Sequence, residues 1–166
     1  MQGTVRAYDP ETRSGSVLLD DGSELEFDLL LGVPKHRAPD VVIASGMTED
    51  GYVPVDSDTL KTRFPHVYAV GDVATAGVPK AGTFAEGAAR IVAQTLIHQL
   101  RGGEPPGRHL GRGTCYIEFG EGRVGSVDID FLSGPTRTGT FHAPSAALVA
   151  EKEHFGSSRR ARWFGT

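Results

Sequence analysis

Only one long stretch of this chain, Thr83 to Leu100, repeats its apolar residues at helical spacing, and Gly102-Gly103 followed by Pro105-Pro106 stops it. Short extended runs lie on both sides of it. Glycine separates them: 22 of the 166 residues are Gly, spread between the runs and not gathered in one tract, which reads as many tight connections. A chain with one good helix and many short strands must bury that helix against sheet, so the expected class is α/β.

Before the helix, Thr4-Val5-Arg6-Ala7-Tyr8, Ser16-Val17-Leu18-Leu19 and a third run from Glu24 predict a three-stranded antiparallel meander, with Asp21-Gly22 as a tight turn. The third run passes from alternating Leu25 and Phe27 to continuous Leu29-Leu30-Leu31, as a strand does on entering a sheet covered on both faces. A Pro-rich crossover follows between Gly32 and Pro65, with extended pieces at Val41-Val42-Ile43 and Tyr52-Val53-Pro54-Val55. His66 to Asp72 then reads as a buried parallel strand. Beyond the helix, Thr114 to Phe119 and Ser126 to Leu132 predict two more strands. A helix over Ser145 to Phe155 and a basic aromatic tail, Arg159 to Phe164, close the chain. The organisation expected is a meander and returning strand over 1–46, a strand-and-helix part over 47–102 and a small β-rich part over 103–166. No internal repeat is present.

Several classes are excluded. No uncharged apolar run is long enough for a membrane span, and the N-terminus lacks a basic-then-apolar export pattern. The lone Cys115 makes no internal disulfide, so the cytoplasm is the expected compartment. His36, His66, His98, His109, His142 and His154 show no metal-ligand spacing, and each reads as a satisfied surface or core histidine, so no metal is expected. Up to Arg101 there are 9 basic and 14 acidic residues, and after it 8 and 7, which argues against nucleic acid as a partner. The Arg-rich tail reads first as a solvated or dimer-packed end, and second as a weak contact with an anionic membrane surface.

Gly120-Glu121-Gly122-Arg123-Val124-Gly125 spells the dinucleotide fingerprint, but a period-two run follows it instead of a helix, so a hairpin turn is expected there. Gly71-Asp72 ends its strand where open α/β sheets bind ligands; the Asp either accepts a ribose- or ribityl-type hydroxyl or simply ends the strand in a turn. Pro79-Lys80-Ala81-Gly82-Thr83 opens the helix with free N–H groups and the positive end of its dipole, suited to an anion or an electron-rich ring.

Taken together, Phe27-Asp28-Leu29-Leu30-Leu31, Val55-Asp56, Phe64-Pro65-His66-Val67-Tyr68-Ala69-Val70-Gly71-Asp72, Pro79-Lys80-Ala81-Gly82 and Ala85-Glu86-Gly87-Ala88 resemble the later part of the FAD-dependent pyridine nucleotide-disulfide oxidoreductases. Pro79-Lys80-Ala81-Gly82 and Cys115-Tyr116-Ile117-Glu118-Phe119-Gly120 are most similar to the sulfide:quinone reductase and flavocytochrome c sulfide dehydrogenase branch. The resemblance implies the end of a fold with two dinucleotide-binding domains, followed by a β-rich interface domain. It implies FAD as cofactor, with Asp72 on the ribityl chain, Gly71, Lys80 and Ala81 around it, and Gly82 and Thr83 at the flavin's pyrimidine edge. Cys115 would carry sulfur as a catalytic thiol in that branch, whereas its own surroundings read as those of a small buried hydrophobe. The family's N-terminal FAD- and NAD-binding part is not in this sequence. The chain is therefore expected to be a C-terminal fragment or half of a split protein, partnered by that part, by a small-molecule electron donor and acceptor, and by a second copy in a homodimer. A non-catalytic binding or assembly module that has lost flavin is the alternative.

Overall fold

The computed structural model describes residues 3–33 and 35–165. The protein is mixed α/β and divides into two compact units, Met1–His36 and Arg37–Thr166.

The first unit is the expected meander. Strands β1 (Gly3–Asp9), β2 (Ser14–Leu19) and β3 (Glu24–Phe27) pair antiparallel in the order β1-β2-β3. Asp21 accepts the Ser23 amide at 2.9 Å beside Gly22, whose φ is +85°. At Gly15 a β-carbon would fall 2.2 Å from the Ala7 carbonyl oxygen, so only glycine fits between the strands. The run of three leucines departs from expectation: β3 stops at Phe27, and Leu29 and Leu31 are 73% and 88% exposed. Register explains the stop. Phe27 lies opposite Gly15, near the start of β2, and past Ser14 the partner turns away through Arg13, so β3 has nothing left to pair with.

In the second unit, Val41-Val42-Ile43 belongs to a short helix, α1 (Asp40–Ala44), and not to an extended piece. Pro39 is preset at φ −54°, its carbonyl accepts the Val42 and Ile43 amides, and Asp40 carries negative charge at the helix start. The buried parallel strand also moves: β4 (Val53–Pro54) pairs in parallel with β5 (Ala74–Thr75), while Gly71–Val73 forms a 3-10 turn. His66 to Val70 is instead occupied in a reversal. Asp56 caps the Thr59 amide at 2.8 Å, Leu60 takes φ +59°, and Lys61 then bridges antiparallel to Tyr68. Leu60 is fully buried and forms a core with Ala76 and Ala88, against which Val55, Val70, Ile91 and Val92 pack.

Helix α2 (Gly82–Arg101) matches its expected span to within a residue at each end, closed by Gly102 at φ +71°. Strands β6 (Arg112–Gly120), β7 (Arg123–Asp130) and β8 (Thr138–Ser145) form an antiparallel sheet in the order β6-β7-β8. The fingerprint-like Gly120 to Gly125 segment is the β6–β7 hairpin connection, with Gly120, Glu121 and Gly122 all at positive φ. β8 was not expected, and α3 (Ala147–Phe164) runs past Phe155 to take in the basic tail. An edge strand holding Gly139 and Pro144, exposed along most of its length, carries little sequence signal. Among the described residues, no helix is long and apolar enough to cross a membrane.

Candidate functional site

The 3-10 turn, the loop through Lys80 and the first turn of α2 meet in one place. Gly71, Asp72, Lys80 and Ala81 line a depression with Ala76, Phe84 and Ala85. It encloses about 10 Å³, roughly one water, so nothing of cofactor size enters it. Gly71 opens the turn at φ +77°, a conformation that favours glycine, and Asp72 is exposed beside it.

The helix start is bare. Ala81 is its N-cap in extended conformation with no side-chain cap, and no acidic residue stands in the first turn. The Ala81 carbonyl accepts the Phe84 and Ala85 amides, which leaves those of Gly82 and Thr83 without an acceptor among the described residues. Lys80 turns back from this start: its Nζ donates to the carbonyls of Asp72 at 2.6 Å and Ala74 at 3.1 Å, and sits 3.8 Å from the centre of the Tyr52 ring.

Cys115 lies in β6, half-buried and paired opposite Val127. It shares a strand face with Gly113, where a β-carbon would come within 2.6 Å of Thr83 Cγ2. The missing side chain at Gly113 thus lets the start of α2 close against β6, two residues from the thiol.

A cleft of about 510 Å³ opens between the sheet and α3, lined by Thr83, Arg112, Tyr116, Asp128, Phe155 and Arg159 among others. Tyr116 donates to Glu151 at 2.7 Å, and burial with that carboxylate pushes its hydroxyl up to about 12. Thr114 and His142 both bind the Asp128 carboxylate, at 2.6 and 2.7 Å, and hold it below the usual carboxylate range. Glu86 on α2, 15% exposed, accepts from Arg159 at 2.8 Å and from Arg162, with Arg90 at 3.5 Å. His109 is 3% exposed and bonds the Ser57 carbonyl through Nδ1 at 3.2 Å; burial lowers its pKa, as befits a core histidine.

The six residues singled out between Gly71 and Thr83 are therefore adjacent, and Cys115 stands on the β6 face that meets Thr83. Sequence reasoning missed Tyr52 beneath Lys80 and the arginine cluster on Glu86. Glu86 was visible in the Ala85-Glu86-Gly87-Ala88 motif, but its partners on α3 lie more than 70 residues away.

No protein-family model matches the chain. Over 86 residues, 49% of the chain, the sequence is 40% identical to the mitochondrial sulfide:quinone oxidoreductase of Schizosaccharomyces pombe. The chain spans only 18% of that relative's length. In fold, 77% of the chain is similar to 32% of a chain in the cryo-EM structure of the Tetrahymena thermophila mitochondrial ATP synthase F1Fo composite tetramer, with a TM-score of 0.63 at 16% identity. About half of this chain is thus related in sequence to an oxidoreductase, and most of it shares a fold with part of a larger chain.

Proposed function

We propose that this chain is the C-terminal part of an FAD-dependent oxidoreductase of the sulfide:quinone reductase kind, supplying one wall of the flavin site and the β-rich interface domain. The observation that carries this reading is the meeting of Asp72 with a bare helix start, in a chain of which half is related to such an enzyme. The residues suit the cofactor. Two free amides and the positive helix end at Gly82 and Thr83 favour negative charge on a ring laid against them, with no carboxylate nearby in the first turn to oppose it. Asp72 is exposed and ready to accept a ribityl hydroxyl, and Gly71 keeps the backbone open beside it. Buried Phe84 backs the wall and keeps water from its rear. When bound, FAD supplies the electron-transfer chemistry.

The position of Cys115 on the face that meets Thr83 supports its role as a thiol placed beside the flavin wall. The remaining partners in this proposal are the upstream FAD- and NAD-binding portion, a small-molecule acceptor and a second copy of the chain. The rival reading, an assembly module without flavin, is favoured by the small volume of the depression.

The test is Asp72→Ala in the protein as its gene encodes it in full. Removing a charged acceptor is worth about 1.5–3 kcal/mol, so FAD affinity should fall about ten- to a hundredfold while the far-UV spectrum stays the same. Equal flavin content in mutant and wild type overturns the assignment; a colourless wild type favours the module.

A further inference from the structure

Lys80 has a different position from that of a cofactor ligand. Its ammonium already has two carbonyl acceptors, at Asp72 and Ala74, and an aromatic face, Tyr52. These contacts join three separate segments: Tyr52 precedes β4, Asp72 and Ala74 flank the entry to β5, and Lys80 itself precedes α2. Among the described residues, the only sheet pairing between the first two segments is the two-residue β4–β5 ladder, and half of β4 is Pro54, which has no N–H to donate. So short a ladder fixes the spacing of these segments weakly. A cation hydrogen-bonded to one strand entry and stacked over a ring from the other adds what the ladder lacks.

We propose that Lys80 is a positioning residue: by tying the Asp72–Ala74 backbone to Tyr52 and to the start of α2, it sets the distance between the Asp72 carboxylate and the free amides of Gly82 and Thr83. Its effect on cofactor binding rests on the flavin reading above; its effect on the segment Gly71 to Ala76 does not. The lysine acts through the backbone, so a side chain that keeps the donors should keep the function, and one that keeps only the apolar stem should not.

The experiment is hydrogen exchange on the 166-residue chain, with FAD titration and the visible circular dichroism of bound flavin measured in the protein encoded in full. Lys80→Met should speed amide exchange across residues 71–76 about tenfold, with the middle of α2 unchanged, and weaken FAD about 5- to 20-fold with an altered dichroic band. Lys80→Arg should recover most of both effects. Unchanged exchange at 71–76 in Lys80→Met overturns the proposal, as does weakened FAD without faster exchange, which would make the lysine a direct ligand. Faster exchange in a protein whose wild type takes up no FAD leaves the brace standing and removes the flavin reading instead. If Lys80→Met does not fold, Tyr52→Leu removes one of the three contacts and should give a smaller rise over the same residues; no rise there also overturns the proposal.

Discussion

α2 and α3 are nearly equal in length, 20 and 18 residues, yet they are held by different forces. α2 buries Phe84, Ala88 and Thr95 and presents Ile91 and Val92 to the core; α3 buries no residue completely. In place of burial, α3 is fastened at side-chain tips: Glu151 to Tyr116, Lys152 to Glu118, and Arg159 and Arg162 to Glu86, with Phe155 edge-on to Tyr116. Burial is not screened by ionic strength and is lost mainly on larger-scale unfolding; charged contacts weaken with ionic strength and release locally. One helix is thus part of the body of the unit and the other is strapped to it.

The sharpest way to break this contrast is Phe84→Ala. Phe84 is 2% exposed and stands edge-on to Phe131 at 5.5 Å, so truncation should cost about 3–5 kcal/mol and melt the α2 core and the β6 packing together. Denaturant midpoints at low and high salt should fall by the same amount; a loss confined to low salt would contradict a burial mechanism. Next in size is Glu86→Gln, which strands the two arginines of α3 and loosens Arg90. It should cost about 1–2 kcal/mol, discounted because Arg162 is half exposed, and the loss should appear as faster amide exchange in α3 alone. In wild type the same exchange should rise with salt; a salt-insensitive α3 would erase the distinction between the helices. The smallest effect concerns His109, packed beside Gly87 of α2 and neutral because burial lowers its pKa from 6.5. Above that value folded and unfolded states are both neutral, and the contribution to stability is complete. As pH falls below it, the unfolded chain takes up a proton first, so stability declines until the folded ring also titrates, by at most about 1.4 kcal/mol per pH unit. His109→Gln should flatten that slope in urea titrations between neutral and mildly acid pH.

Local signals found what local chemistry decides. The helical period and Gly102 marked α2, Asp21-Gly22 marked the first hairpin, and the period of two after Gly125 exposed the false fingerprint. What stayed hidden depends on partners distant in sequence. The leucines at 29–31 look like a buried strand until the end of β2 removes their pairing, and Val67 and Tyr68 look like a parallel strand until Leu60 reverses the chain and Lys61 claims them. At the candidate site, Asp72 and Lys80 were singled out by their motifs and the family resemblance, whereas what Lys80 grips was not, because Tyr52 carries no local mark of its role.

Leu60 combines two demands that pull in opposite directions. Its backbone sits at φ +59°, where an L side chain costs about 1–2 kcal/mol, and its side chain is 0% exposed in the core, where truncation costs about 2–5 kcal/mol. Glycine or asparagine would relax the backbone but leave a hole or an unpaired amide; valine or isoleucine would fill part of the space but worsen the strain. The position therefore resists sequence drift: each of these steps costs stability, and relieving the backbone without opening a hole requires the loop from Asp56 to Lys61 to change at the same time. A redesign of this protein should hold Leu60 fixed and vary the exposed residues around it.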